Sequence, residues 1–118
     1  MRIMNVRTRR VGEIPLVALS GELDISTAPE VNRELTKLER QDPATVVVDL
    51  RELTFIDSTG LRTILSADAR FRQQGKRLVI VPGPPAVHRV FTISLLDQRL
   101  QFVDEPEALG DGENAEPS

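Results

Sequence analysis

Residues Thr45–Leu50 form a nearly uninterrupted run of apolar, mostly β-branched residues, and this run constrains the fold more than any other feature of the chain. Such a run is typical of a strand that is buried on both faces within a parallel sheet. Parallel neighbours need crossover connections, which are usually helices. The chain should therefore alternate strands and helices around this central strand.

The residues on either side support this alternation. Apolar runs predict four more strands, and apolar residues at helical spacing predict three helices, which gives the order ββαβαβαβ. The strands are predicted at residues 3–8, 14–19, 77–81 and 100–103, and the helices at 30–40, 61–74 and after the turn Pro82–Pro85. We expect an α/β fold in which amphipathic helices cover a mixed sheet with a parallel centre.

Sequence patterns in the first two predicted helices indicate how the first one begins and which side of the second one faces the core. In the first, Thr27 and Glu30 have the spacing of a capping box, in which the threonine side chain caps the helix. In the second, an apolar stripe faces inward while Asp68 belongs to the solvent face. The predicted core includes Val47, Ile64, Leu65 and Val79.

The composition narrows the organisation and the class of function. The chain of 118 residues suits one domain, which we expect at residues 1–109, followed by a disordered acidic tail at 110–118. No cysteine is present, which excludes disulfides and sulfur-based zinc sites. No apolar run reaches the roughly 20 residues of a membrane helix, and no basic or aromatic cluster favours direct nucleic-acid binding. We therefore expect a cytoplasmic protein that binds neither a membrane nor nucleic acid.

Three predicted loops leave the carboxyl ends of the strands, where open α/β sheets gather their ligands. The first loop, Gly21–Thr27, carries Asp24, and the second, Arg51–Thr59, carries Asp57 and Ser58. The third is the proline-rich turn that precedes the last predicted helix. We expect the three loops to form one rim, with a hydroxyl, a helix start and at least two carboxylates.

Ser58 stands at or next to the start of the second helix, where unpaired N–H groups and the helix dipole favour a phosphate group. The same position also suits plain helix capping by Asp57 or Ser58. A catalytic serine needs a base within reach, and the only histidine, His88, belongs to another predicted helix. Asp24 and Asp57 could hold a divalent cation, or Asp24 could bond the N–H groups of its own turn. Ser58 is therefore interpreted as a substrate for another protein's chemistry.

Three stretches of the chain stand in a specific order and spacing. They are Leu19–Asp24 with Thr27 and Ala28, Val46–Leu50 followed by Asp57–Leu61, and Gly75–Val81 with Val87, Val90 and Phe91. Together they resemble the STAS domain family, in particular its single-domain anti-sigma factor antagonists, and the likeness covers about residues 3–108. One departure is Leu95, at a position where such proteins often carry glycine.

The resemblance implies a STAS-type sheet and a regulator that is not an enzyme and holds no cofactor or metal. The unphosphorylated form would bind an anti-sigma factor with serine kinase activity, phosphorylation at Ser58 would break that complex, and a serine phosphatase would restore it. Two other STAS-like roles stay open, namely a structural subunit that binds a membrane transporter component and is not phosphorylated, and a nucleotide-sensing domain. The predicted partner-binding residues are Asp24, Asp57, Ser58, Thr59, Gly60 and Arg62.

Overall fold

The computed structural model describes residues 3–109, which contain five strands and three α-helices in the predicted order. The strands are β1 (Met4–Val11), β2 (Ile14–Leu23), β3 (Thr45–Ile56), β4 (Arg77–Val81) and β5 (Gln101–Phe102). The helices are α1 (Ala28–Arg40), α2 (Ser58–Gln73) and α3 (Pro85–Ile93), with a 3-10 turn at Leu96–Gln98 and a helical segment at 106–109. The expected disordered tail at 110–118 lies outside the described residues.

The strands form one mixed sheet in the order β1-β2-β3-β4-β5. β1 is antiparallel to β2, and each of the other neighbouring pairs is parallel. Since α1, α2 and α3 each connect adjacent parallel strands by crossovers of one hand, all three lie on the same face of the sheet. The predicted α/β fold with a parallel centre is confirmed.

The main core lies between the sheet and these three helices. Val31 and Leu35 of α1, Ile64 and Phe71 of α2, and Phe91 of α3 are fully buried there. The opposite face, called the second face below, carries a smaller apolar cluster, against which Val103 and Leu109 pack. The strand residues of this smaller cluster are Ile14, Leu16, Val47 and Val81. The central strands are therefore buried on both sides, as the apolar run at Thr45–Leu50 predicts.

The second helix departs from its predicted pattern at two positions. Leu65 is only partly buried, at the edge of the core, whereas the other predicted core residues Val47, Ile64 and Val79 are fully buried. Asp68, predicted on the solvent face, is only 7% exposed, and its carboxylate pairs with Arg72 at 2.9 Å. Burial raises the pKa of Asp68, and the charge and hydrogen bond of Arg72 only partly offset this. The ion pair within the helix allows a carboxylate to be buried where periodicity alone places it in solvent.

Leu95 occupies the position at which the sequence resemblance leads us to expect glycine. It follows the C-terminus of α3 with φ of 61°, in the left-handed region. This conformation costs a non-glycine residue roughly 1–2 kcal/mol. The helix therefore ends as it would with glycine, and the leucine side chain remains 62% exposed.

Candidate functional site

β2 and β3 run side by side to their last residues, and this places the starts of α1 and α2 next to each other. Leu23 pairs with Ile56 at the end of the parallel ladder, and the N–H of Asp57 donates to the Leu23 carbonyl at 3.1 Å. Asp24 follows Leu23 and Asp57 follows Ile56, so both acids lie on one edge of the sheet. The structure therefore brings the acids of the first two predicted loops together beside Ser58.

Both of these strands are longer than predicted. β3 continues to Ile56, so the loop predicted over Arg51–Thr59 is wrong for residues 51–56. β2 likewise continues to Leu23, within the loop predicted at Gly21–Thr27. The two extensions pair with each other through register shifts, and this pairing overrides the weak strand propensity of the charged residues in them.

The third predicted loop does not reach this edge. β4 ends at Val81, which pairs with Asp49, whereas β3 continues to Ile56. At about 3.3 Å per residue, the turn Pro82–Pro85 is therefore roughly 20 Å from the edge that carries Ser58. The prediction that all three loops form one rim is wrong, because it assumed that neighbouring parallel strands end at the same level.

The turn before α1 is organised by the carboxylate of Asp24, which is only 3% exposed. Its Oδ1 accepts hydrogen bonds from the N–H of Ser26 at 2.9 Å, the N–H of Thr27 at 3.2 Å and the Ser26 hydroxyl at 2.7 Å. The Thr27 hydroxyl donates to the Glu22 carbonyl at 2.7 Å and accepts from the N–H of Asp24 at 2.9 Å. Both hydroxyls at this helix start are therefore engaged within the turn.

The capping box predicted for α1 is not formed. Thr27 does occupy the N-cap position, but its side chain makes no capping hydrogen bond because its hydroxyl is directed to the carbonyl of Glu22. Asp24 instead binds the N–H groups of its own turn, which was one of the two alternatives for this residue.

The start of α2 uses the same residue types in another way. Asp57 is the N-cap, and its Oδ1 accepts from the N–H of Gly60 at 2.9 Å while its carbonyl accepts from the N–H of Leu61 at 3.0 Å. Ser58 is the first helical residue, and its side chain is exposed. Within residues 3–109 its hydroxyl has no hydrogen-bond partner, whereas Thr59 beside it is half-buried. Capping therefore belongs to Asp57, and the Ser58 hydroxyl is available for chemistry.

Gly60 allows α2 to begin close against the strand ends. It is buried, and a Cβ at this position would lie 2.6 Å from Cγ of Leu23 and 2.9 Å from the Leu23 carbonyl oxygen. Cγ1 of Ile56 would be 3.1 Å away. Only glycine permits so close an approach. Gly60 therefore fixes the position of the Ser58 helix start and presents no side chain of its own.

A family model described as "Mlab, STAS domain" matches residues 6–104 of the chain. The chain belongs to the STAS domain family. Among curated relatives of this STAS domain, the anti-sigma-B factor antagonist of Staphylococcus aureus is 29% identical over 102 residues, which cover 86% of this chain and 94% of that protein. The anti-sigma F factor antagonist of Paenibacillus polymyxa is 32% identical over 90 residues, which cover 75% of this chain and 77% of that protein.

Solved structures of SpoIIAA, an anti-sigma factor antagonist of Bacillus, have the same fold. The unphosphorylated form has a TM-score of 0.77 and 22% identity, and the match covers 93% of this chain and 97% of that one. The phosphorylated form has a TM-score of 0.70 and 21% identity, with 91% and 98% of the two chains covered. The STAS-type sheet that the sequence resemblance implied is confirmed.

Two apolar residues near the site of this STAS domain were not predicted from the sequence. Ile25, in the turn before α1, is 73% exposed, and Phe55, near the end of β3, is 42% exposed. Large apolar side chains that remain exposed beside polar groups often mark a surface that contacts a partner. The sequence did contain one signal for Ile25, because it is an isoleucine between the polar residues Asp24 and Ser26 in a predicted turn.

Arg62 is exposed on α2, one turn after Ser58, because Leu61 and Ile64 turn inward.

The structure adds no further ligands to the alternative in which Asp24 and Asp57 hold a divalent cation. Residues 3–109 contain no group of three or more acidic or histidine side chains that could hold a metal ion. Within the same residues, no helix combines the length and the apolar character required to cross a membrane.

Proposed function

We propose that this STAS domain is an anti-sigma factor antagonist that acts by partner switching. Unphosphorylated, it binds an anti-sigma factor with serine kinase activity and so releases a sigma factor. Phosphorylation at Ser58 ends this complex, and a serine phosphatase restores it. The observation that carries the proposal is the exposed hydroxyl of Ser58 at the first position of α2, which has no hydrogen-bond partner among residues 3–109. The names of the two curated relatives support it.

In this proposal Ser58 is the substrate, and the kinase supplies its own ATP and magnesium. The added phosphate brings a charge of about −1.5 to −2 and three strong acceptor oxygens. The N-terminus of α2 favours negative charge, so the phosphate leaves the fold intact. Its effect falls on the partner surface through repulsion, bulk and desolvation. The domain is accordingly a cytoplasmic regulator and not an enzyme.

The proposed partner surface surrounds Ser58. Ile25 and Phe55 supply exposed apolar area, and Thr59 and Arg62 add polar groups at its border. An apolar centre with a polar rim is the usual composition of a protein interface. Three further residues of the site hold the backbone under this surface in position. They are Asp24, Asp57 and Gly60.

Purification of the tagged chain from its source cells, with partners identified by mass spectrometry, tests the proposal. The unsubstituted chain and Ser58→Ala should both retain an anti-sigma factor. Ser58→Asp should bind that factor at least about tenfold more weakly, a difference of about 1.4 kcal/mol. Ser66→Asp is the matched control, because Ser66 is exposed on the same helix about two turns farther along. Retention of a membrane transporter component instead, or undiminished binding by Ser58→Asp, contradicts the proposal.

A further inference from the structure

A groove of about 700 Å³ lies on the second face of the sheet, opposite α1, α2 and α3. Side chains of β1 and β3 form its two walls, and β2 forms its floor. The wall residues are Arg7, Arg9, Asp49 and Arg51, and the floor residues are Ala18 and Ser20. The partner switch proposed for Ser58 does not use this groove.

The shape of the groove follows from one small residue between long ones. Arg7 pairs with Ala18, and Ala18 pairs with Asp49, so the three residues form a row across β1, β2 and β3. Adjacent strands are about 4.8 Å apart, which puts the two walls roughly 10 Å apart. The alanine methyl leaves the middle of this row open, so that one extended segment of chain fits between the walls.

The β3 wall is preformed. Asp49 is only 7% exposed, and its carboxylate accepts bonds from Arg51 Nε at 3.0 Å and Nη2 at 2.8 Å. Burial raises the pKa of Asp49, but the hydrogen bonds and charge of Arg51 outweigh this and hold the pKa below its usual value. The Asp49 carboxylate therefore stays ionised, and its charge is compensated by an arginine that it also fixes in place.

The arginines of the β1 wall are less fully paired. Arg7 is exposed and has no carboxylate within 4 Å among residues 3–109. Among residues 3–109, the salt bridge of Arg9 is to the exposed Glu107, at 3.6 Å. Glu52 is the remaining acid that lines the groove, on the opposite wall. Arg7 and Arg9 can therefore accept further carboxylates.

The last described residue, Leu109, lies on the same face of the sheet as the groove. Leu109 packs against the apolar cluster that contains Leu16, and Leu16 is the strand partner of Arg9. Residues 110–118 follow directly and contain acids but no lysine or arginine. At about 3.3 Å per residue, the first few of them can span the distance from Arg9 to Arg7. The acids of this segment are Asp111, Glu113 and Glu116.

We propose that the acidic segment at residues 110–118 binds in this groove of its own chain, with its carboxylates on Arg7 and Arg9. A short tether gives an effective concentration in the millimolar range, so weak ion pairs are enough to populate the bound state. Because Arg7 and Arg9 are exposed, salt should release the segment, since the screening length falls from about 10 Å at 0.1 M to about 3 Å at 1 M.

A spin label on the segment tests this binding in the full chain. Because the chain has no cysteine, Ala115→Cys provides a single attachment site. At low salt, the label should broaden the amide NMR signals of Ala18, Ser20 and Arg51 at least threefold more than in the same labelled chain with a neutralised segment. The neutralised segment carries Asp111→Asn, Glu113→Gln and Glu116→Gln, so its tether length is unchanged.

Arginine variants identify the groove as the binding surface. Arg7→Gln with Arg9→Gln should reduce the broadening to the level of the neutralised segment. Arg33→Gln with Arg40→Gln, which changes two exposed arginines of α1, should leave it unchanged. Equal broadening from the charged and the neutralised segment overturns the proposal, and so does charge-dependent broadening confined to amides outside the groove.

Discussion

The starts of α1 and α2 lie side by side on one edge of the sheet and use the same residue types. Within the described part of the chain, however, the serine hydroxyl is bonded at the first start and has no partner at the second. Before α1, the nearly buried Asp24 binds the Ser26 hydroxyl as well as two backbone N–H groups. At α2, the Asp57 carboxylate accepts one hydrogen bond among residues 3–109, from the backbone N–H of Gly60, and the Ser58 hydroxyl stays exposed. The position of the carboxylate thus decides whether a hydroxyl beside it is structural or available for modification.

Replacing the carboxylate should harm the first helix start more than the second. Asp24→Ala should cost about 2–3 kcal/mol of unfolding free energy, since it removes a nearly buried acceptor and leaves several donors unpaired. Asp57→Ala should cost about 1 kcal/mol, the usual loss for an N-cap. Urea denaturation of both variants measures the difference. An equal or larger loss for Asp57→Ala would contradict the view that the turn before α1 is the more tightly built of the two.

The two helix starts also differ in how closely their third helical residue packs. Gly60→Ala places a methyl group against Leu23 and should cost about 1–3 kcal/mol as the helix start is displaced. Glu30→Ala changes the corresponding residue of α1, which is only half-buried, and should stay within about 0.5 kcal/mol. Thermal unfolding compares the two. If both variants melt alike, α2 is not held against β2 as closely as proposed.

The two serines should differ in their effect on stability. Ser26→Ala removes the hydroxyl that donates to Asp24 at 2.7 Å and should cost about 1 kcal/mol. Ser58→Ala removes a hydroxyl that has no partner among the described residues, and the change should be within about 0.5 kcal/mol. Chemical denaturation at constant pH resolves the two values. A clear destabilisation by Ser58→Ala would mean that this hydroxyl has a structural role.

The smallest effect is expected at the border of the proposed partner surface. Arg62→Glu should slow association with the anti-sigma factor and alter its salt dependence, as expected for a peripheral charge. Arg33→Glu makes the same change on an exposed position of α1 and should leave association unchanged. Stopped-flow binding at low and high salt measures both variants. Identical kinetics for the two would remove Arg62 from the proposed surface.

Local sequence patterns predicted most of the fold, because the spacing of apolar residues differs between strands and helices. β4 lies at residues 77–81 as predicted, and Val47 and Ile64 are buried as their patterns indicate. The extension of β3 through Arg51 was not predictable in this way, because it depends on pairing with the end of β2. The burial of Asp68 also depends on a specific ion pair that periodicity does not encode.

The candidate site followed from sequence only in part. The positions of Asp57 and Ser58 could be predicted, because a strand-like run, a polar segment and a helical pattern follow each other directly. The bonding of Thr27 could not, since the direction of its hydroxyl depends on the detailed path of the turn. The exposure of Ile25 likewise appears only once the turn is built.

Phosphopeptide mapping by mass spectrometry tests the central claim most directly. The chain would be incubated with ATP and the kinase that copurifies with it, and each modified residue would then be identified. We predict phosphate on Ser58, with Ser26 and Thr27 unmodified because their hydroxyls are engaged in the turn before α1. Phosphate on Thr59 or Ser26 while Ser58 stays unmodified would contradict the account.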